Sequence, residues 1–323
     1  MAVFVFLVIA AGVALFVTAA SAYRRELRLA SLRSSQGALA LQTHLGRVEY
    51  ASRGRGPAVL VIHGTSGGHD QGLDIAGALS GAGYRVVAPS RFGYLGSETV
   101  AEANPERQAD AYVALLEALD GTPAAAVIGI SAGSPSAAVF ALRYPQLCKC
   151  LILIVPAFPG TGGALGTTPG RGARLLIAMF LRSDFVFWLM CRVFPSMSAS
   201  TILATERACL AAASPKEQAR AAQILRHMLP ITRRRAGILL DVEWFSRGAA
   251  PRVHELAVPL MAISCEDDRL GTARTAQEAA RAAPSGRSIL YPSGGHILVD
   301  RHDDALKKVV EFIAESAKPA RQN

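Results

Sequence analysis

The sequence predicts an α/β protein with a mostly parallel central sheet, helices on both faces and a long helical insertion. Three observations carry this. First, five short runs are apolar without alternation: Ala58-Val59-Leu60-Val61-Ile62, Val86-Val87-Ala88, Ala124-Ala125-Ala126-Val127-Ile128, Leu151-Ile152-Leu153-Ile154 and Val258-Pro259-Leu260-Met261-Ala262-Ile263-Ser264. Strands read this way when both faces are covered, as in parallel sheets. Second, stretches of helical period lie among these runs. Third, 323 residues, 51% of them hydrophobic, suffice for one large domain or two smaller ones.

The elements follow in chain order. Residues 1–22 open with Ala2-Val3-Phe4-Val5-Phe6 and stay apolar to Ala20, with Thr18 the main polar residue. About twenty such residues span a bilayer core as a helix. Ala20-Ser21-Ala22 resembles a signal-cleavage site, but no basic segment precedes the run, and the run is longer than a signal's apolar region. The segment is therefore read as a transmembrane anchor, with cleavage and secretion or a periplasmic location as the alternative. Arg24, Arg25, Arg28 and Arg33 follow. By the positive-inside rule they put the following domain in the cytoplasm. Residues 23–42 are expected to form a basic, helical juxtamembrane linker near anionic headgroups.

Residues 43–155 and 253–318 are expected to form the core, and 156–252 a helical lid. Asn104-Pro105 starts a helix with Ala109, Val113, Leu116 and Leu119 on one face. A second helix carries Ala137, Ala138, Phe140, Ala141 and Leu142 and stops before Pro145. The insertion opens with Gly160-Thr161-Gly162-Gly163 and turns helical. Ser214-Pro215-Lys216-Glu217 gives a serine cap, a first-turn proline and a capping-box glutamate. The stripe Ile177, Met179, Phe180, Phe185, Phe187, Trp188, Leu189 and Met190 is expected to be lid core, or else to line an acyl pocket or touch lipid. Leu306, Val309, Val310 and Ile313 mark the last helix.

Chemistry enters with Gly129-Ile130-Ser131-Ala132-Gly133, directly after the third run. A nucleophile on a sharp turn needs unusual backbone angles, so residues two away must be small; Gly129 and Gly133 meet that need. Downstream, Glu266, Asp267 and Asp268 follow the strand at 258–264. Gly294-Gly295-His296 follows a short strand, Ser288-Ile289-Leu290-Tyr291. Right-handed crossovers bring the carboxyl ends of such strands to one edge, where sites form.

The order serine, acid, histidine, with the serine on a strand-to-helix turn, resembles the α/β-hydrolase superfamily over about residues 46–317. The resemblance implies an α/β-hydrolase fold and a bacterial esterase-like serine hydrolase. Ser131 would be the nucleophile, His296 the general base and Asp268 the acid, with Asp267 as the alternative acid. His63-Gly64 resembles the family's oxyanion loop, so the N–H groups of Thr65 and Ala132 would bind the oxyanion. His63 itself, standing before that loop, is read as structural, as are His227, His254 and His302. The implied substrate is a small, apolar ester or related acyl compound, with no metal and no organic cofactor. There are two departures. Cys265 stands where the family's acid motif has glycine, and Pro89-Ser90 replace an aspartate-containing opening before Arg91-Phe92-Gly93-Tyr94-Leu95-Gly96-Ser97.

Other classes fit less well. Dehalogenases and epoxide hydrolases of this fold need an aspartate nucleophile. A carbon–carbon bond hydrolase or an acyltransferase would use the same serine machinery. A non-catalytic ligand-binding member would be expected to lack one of the three groups. The net charge of +9 is read as membrane proximity or solvated surface and not as nucleic-acid binding, because no nucleic-acid motif accompanies it. Five cysteines without a CxxC pair are read as reduced. Cys265, beside the acid, is expected to make the site oxidation-sensitive.

Overall fold

The computed structural model describes residues 1–119, 123–160, 177 and 179–318. Eight strands form one sheet: β1 (Leu39–Thr43), β2 (Gly46–Arg53), β3 (Ala58–Ile62), β4 (Arg85–Pro89), β5 (Ala126–Ile130), β6 (Leu151–Ile154), β7 (Leu260–Cys265) and β8 (Gly286–Tyr291). Their spatial order is β1-β2-β4-β3-β5-β6-β7-β8. The β1–β2 and β2–β4 pairs are antiparallel, and every other neighbouring pair is parallel.

The apolar runs become strands because both faces are buried. Leu60, Ile62, Val127, Leu151, Leu153 and Leu260 enter one core with Tyr112, Leu115 and Phe140. Their neighbours Val59, Val61, Ile128, Ile152, Met261 and Ile263 enter the opposite core with Val309 and Ile313. Successive strand side chains alternate between faces, so each uninterrupted run feeds two cores. On the first face lie α3 (Pro105–Leu119), α4 (Ser134–Arg143) and α10 (Thr272–Ala282); on the second lies α11 (His302–Ser316). The short α2 (His69–Ala76) follows β3.

The insertion forms α5 (Asp184–Val193), α6 (Pro195–Ile202), α7 (Arg207–Ala212), α8 (Pro215–His227) and α9 (Arg235–Arg247). Ser214 caps α8 as its sequence predicts, accepting from the Glu217 N–H. The glycine-rich opening at Thr161-Gly162-Gly163 lies outside the described residues. The aromatic stripe divides. Phe187 and Trp188 are buried within the insertion's own core, while Met179, Phe185 and Leu189 are exposed. None of the stripe lines the cavity at Ser131, so the expectation of an acyl-pocket lining is corrected for that cavity; Phe187 and Trp188 line a separate one within the insertion.

The N-terminal boundary also changes. One continuous helix, α1, runs Ala2–Arg33. Residues 1–18 are exposed, and packing against the domain begins at Ala19, Ala22 and Tyr23. Residues 23–42 are therefore not a linker. Their first part extends α1 onto the insertion, where Arg33 donates to the carbonyls of His227 (3.2 Å) and Leu229 (2.8 Å). Their last part is in β1, paired with β2. Leu39-Ala40-Leu41-Gln42-Thr43 alternates as an edge strand does, a short pattern that follows the basic run. α1 is long and apolar enough to cross a membrane, as both anchors and signal sequences are.

Candidate active site

Ser131 stands just beyond β5, on the single turn Ser131–Gly133 that leads into α4. Its φ of 49° lies in the left-handed region, which side chains seldom adopt. Packing imposes that turn. A methyl at Gly129 would stand 2.6 Å from the Ala137 Cβ, and one at Gly133 would stand 2.5 Å from the carbonyl oxygens of Ile62 and His63. The small residues are thus required by close approach of β3 and α4 to the elbow.

Ser131, His296 and Asp268 come together although 28 residues separate the last two and 165 the first two. The His296 Nε2 lies 3.0 Å from the Ser131 Oγ, and its Nδ1 lies 2.8 Å from the Asp268 Oδ2. With Nδ1–H donating to the carboxylate, Nε2 is free to accept the serine proton. Asp268 also accepts from the Leu270 N–H at 2.9 Å and from the Thr272 hydroxyl. Burial alone would raise its pKa, but the neighbouring His296 and these hydrogen bonds outweigh burial and hold it below the ordinary carboxylate value. Asp267 does something else. It accepts from the N–H groups of Gly294 (3.1 Å) and Gly295 (2.8 Å), so it holds the loop that carries the histidine.

His63 is fully buried, and its ring is committed: Nδ1 bonds the Gly64 carbonyl at 2.7 Å, and Nε2 accepts from the Arg91 N–H at 2.9 Å. Burial, and then the Arg91 charge, push its pKa well below the ordinary value, so the imidazole is neutral. Gly64 donates to the Gln71 Oε1 at 2.9 Å. The N–H of Thr65 has no acceptor among the described residues, and Thr65 lines the same cavity as Ser131 and His296. Ala132 follows Ser131 directly on the elbow.

Behind this loop lies a network that sequence reading missed. Asp241 of α9 accepts two 2.7 Å bonds from the Arg91 guanidinium, one of 2.5 Å from the Tyr94 hydroxyl and one of 3.0 Å from the Thr65 hydroxyl. This ties the insertion to the loop expected to bind the oxyanion. Arg91 was visible in the Arg91–Ser97 stretch, but nothing local marks its partner 150 residues away. His302 was also read as structural, yet it lines the cavity; burial and then Arg220 lower its pKa, which keeps it neutral.

That cavity has a volume of about 310 Å³, within the roughly 300–1,000 Å³ usual for small-molecule sites. Its walls are mainly aliphatic, including Ile130, Ile154, Ile202, Leu203, Ile224 and Leu298. Its one guanidinium, Arg220, is bonded to Glu217 at 2.6 Å and to the Ile297 carbonyl at 2.7 Å. Cys265 is buried, and burial followed by Asp267 and Asp268 pushes its thiol to about 12. A protonated, enclosed thiol is a poor target for peroxide, which argues against the expected oxidation sensitivity.

Residues 57–303 match the family model for the alpha/beta hydrolase fold, and the chain belongs to that family of hydrolases. It is 36% identical over 110 residues to an uncharacterized hydrolase of Bacillus subtilis, covering 33% of this chain and 37% of the relative. It is 32% identical over 140 residues to a 2-hydroxy-6-oxo-6-phenylhexa-2,4-dienoate hydrolase of Burkholderia cepacia, covering 42% and 48%. The match spans less than half the length of each of these relatives. Among solved structures, an alpha/beta hydrolase fold protein from Nakamurella multipartita superposes with a TM-score of 0.69 at 23% identity, covering 87% of this chain and all of that one. A membrane phospholipase A, described as a bacterial virulence factor, gives 0.65 at 18% identity over 98% of both chains. At such identities the structural likeness speaks for the fold.

Proposed function

We propose that this protein is a serine hydrolase that cleaves a carboxylic ester, or a related acyl bond, of a small apolar substrate. The observation that carries the reading is the Ser131–His296–Asp268 line of hydrogen bonds opening onto an aliphatic cavity. Ser131 Oγ attacks the carbonyl as His296 Nε2 takes its proton. The negative charge on the carbonyl oxygen is held by the N–H groups of Thr65 and Ala132, beside the amino end of α4. Asp268 stabilises the imidazolium. His296 then protonates the leaving alcohol, and the acyl-enzyme forms. A water deprotonated by His296 attacks that ester, and collapse releases the acid and restores the serine. The neutralised Arg220 and the aliphatic walls favour an uncharged acyl group over a carboxylate-bearing one.

Hydrolysis of p-nitrophenyl esters of increasing chain length, with fluorophosphonate labelling beside Ser131→Ala, tests the assignment. Turnover and labelling that are both lost in the variant support it. Turnover that survives in Ser131→Ala would sink it. A second reading, carbon–carbon bond cleavage by the same serine, is favoured by the likeness to the dienoate hydrolase. Loss of absorbance from that relative's substrate would show it.

Residues 1–22 serve as a single-pass anchor whose end, at Ala19 and Ala22, already rests on the insertion, residues 156–252 serve as a lid, and the arginines after the anchor keep the hydrolase domain on the cytoplasmic side. Alkaline phosphatase fused after Asn323 should be inactive; activity there would reverse the orientation.

A further inference from the structure

A second cavity, of about 670 Å³, lies outside the site just described. It is a half-open cavity lined by α5, α6, α7, α8 and the Glu26 turn of α1. Its floor is apolar: Phe187, Trp188, Leu210, Ala221, Leu225 and Leu229. Its exposed rim carries Arg192, Arg207 and Arg226, none of which has a carboxylate partner among the described residues. The one rim carboxylate, Glu26, is already engaged by the Trp188 Nε1–H at 2.9 Å. Three unpaired guanidinium groups over a greasy floor fit a molecule with an acyl chain and an anionic head.

The position of the cavity says where that molecule comes from. Glu26 stands three residues after Tyr23, where α1 first meets the insertion, and Tyr23 packs on Phe185 and Trp188 with ring centroids 5.2 and 5.5 Å apart. Preceding residues 1–18 are exposed and apolar, as a membrane span would be. In the same insertion, Phe185, Val186, Leu189 and Val193 of α5, Phe194 at the junction and Met197 of α6 are exposed apolar side chains, and Phe185 packs on Tyr23 at the base of α1. Such side chains next to a membrane span belong at the headgroup boundary.

We propose that this cavity binds an anionic phospholipid drawn from the leaflet that α1 enters, with an acyl chain on Trp188 and Leu225 and the headgroup on Arg192, Arg207 and Arg226. The site is separate from the Ser131 cavity but shares a wall with it. Helix α8 turns Gln218, Ala221, Ala222 and Leu225 to the lipid cavity and Arg220 and Ile224 to the other. Lipid occupancy therefore bears on the wall of the Ser131 cavity.

The test uses the full chain in nanodiscs and reads no enzymatic activity. Of the two tryptophans, Trp244→Phe leaves only Trp188. Its emission is followed as phosphatidylglycerol or phosphatidylcholine with brominated acyl chains replaces part of a phosphatidylcholine bilayer. Quenching should be stronger with brominated phosphatidylglycerol. Arg192→Glu with Arg226→Glu should weaken that preference by roughly tenfold or more, without shifting the unquenched emission. Ile224→Phe, which narrows the Ser131 cavity, should leave the preference intact. Equal quenching by both lipids would overturn the proposal. So would a preference that survives the arginine reversals, or one that vanishes in Ile224→Phe, which would place the lipid in the Ser131 cavity. Quenching by brominated stearate that phosphatidylglycerol fails to displace would also overturn it, in favour of a free fatty acid.

Discussion

Asp267 and Asp268 are adjacent carboxylates with different partners, and the difference can be measured. Asp268 faces the His296 Nδ1, while Asp267 faces the backbone of Gly294 and Gly295. Under the proposed mechanism, Asp268→Asn offers the imidazole a donor where it needs an acceptor. The ring then settles in the wrong tautomer, and kcat should fall about 10,000-fold with little change in stability. Asp267→Asn keeps one acceptor oxygen for the loop. It should cost about tenfold in kcat or less, together with about 1 kcal/mol of stability from a weakened charge-assisted bond. Steady-state kinetics beside urea melts separate the two, and equal losses from both variants would contradict the assignment. Cys265 makes the complementary prediction. Its enclosed, protonated thiol should leave activity unchanged by millimolar peroxide, in wild type and in Cys265→Ala alike. Inactivation of the wild type alone would show that the thiol is reached.

At the scale of elements, the insertion is fastened to the core by two buried ion pairs, Arg91–Asp241 and Arg234–Asp70. Arg234 is fully buried, bonds the Asp70 Oδ2 at 2.6 Å and also donates to the Gly67 carbonyl. Removing one partner of such a pair leaves an uncompensated buried charge, so Asp70→Ala should cost about 3–5 kcal/mol. Burial would raise the Asp70 pKa, but the Arg234 charge and hydrogen bond win and depress it to about 2 from 3.8. The sign follows. A depressed carboxylate stabilises the fold fully above its unfolded pKa and loses that contribution as pH falls toward its folded one. About 2 kcal/mol should therefore disappear between roughly pH 4 and pH 2. That slope should be absent in Asp70→Ala, as urea midpoints across the acid range would show. These pairs mark the limit of what the sequence discloses. The elbow, the histidine loop and the parallel strands are legible because each is local: a pentapeptide, a Gly-Gly-His, an unbroken apolar run. Asp241 is one acidic residue on a helix, and only folding brings it to Arg91. Edge strand β1 was hidden for another reason: its alternation is short and follows a run of arginines that reads as surface. His302 was missed because its neighbours Arg301, Asp303 and Asp304 look like an exposed helix start, while the fold turns its ring inward.

Over the whole molecule, α1 does two jobs, divided near residue 18. Residues 1–18 are exposed, whereas Ala19, Ala22, Tyr23 and Ala30 enter the insertion's core. Arg33 then secures the end of α8 through the carbonyls of His227 and Leu229, and the Glu26 carboxylate receives Trp188. α8 also walls the Ser131 cavity, so the base of α1 supports that cavity at one remove. Two truncations separate these roles. Removal of residues 1–18 deletes only exposed apolar surface; the protein should leave the membrane fraction and keep its melting temperature and its turnover of soluble esters. Removal of residues 1–33 deletes a buried face as well as hydrogen bonds from a charged donor, each worth about 1.5–3 kcal/mol. For a domain of this size that should lower Tm by roughly 10 °C or more, with KM for long-chain esters rising before kcat falls, because the loosened wall binds the acyl chain and is remote from the serine. Equal Tm for the two truncations would mean that the docked half of the helix is an ornament of the fold. A loss of turnover already at the first truncation would mean that the exposed half reaches the reaction by a route other than packing.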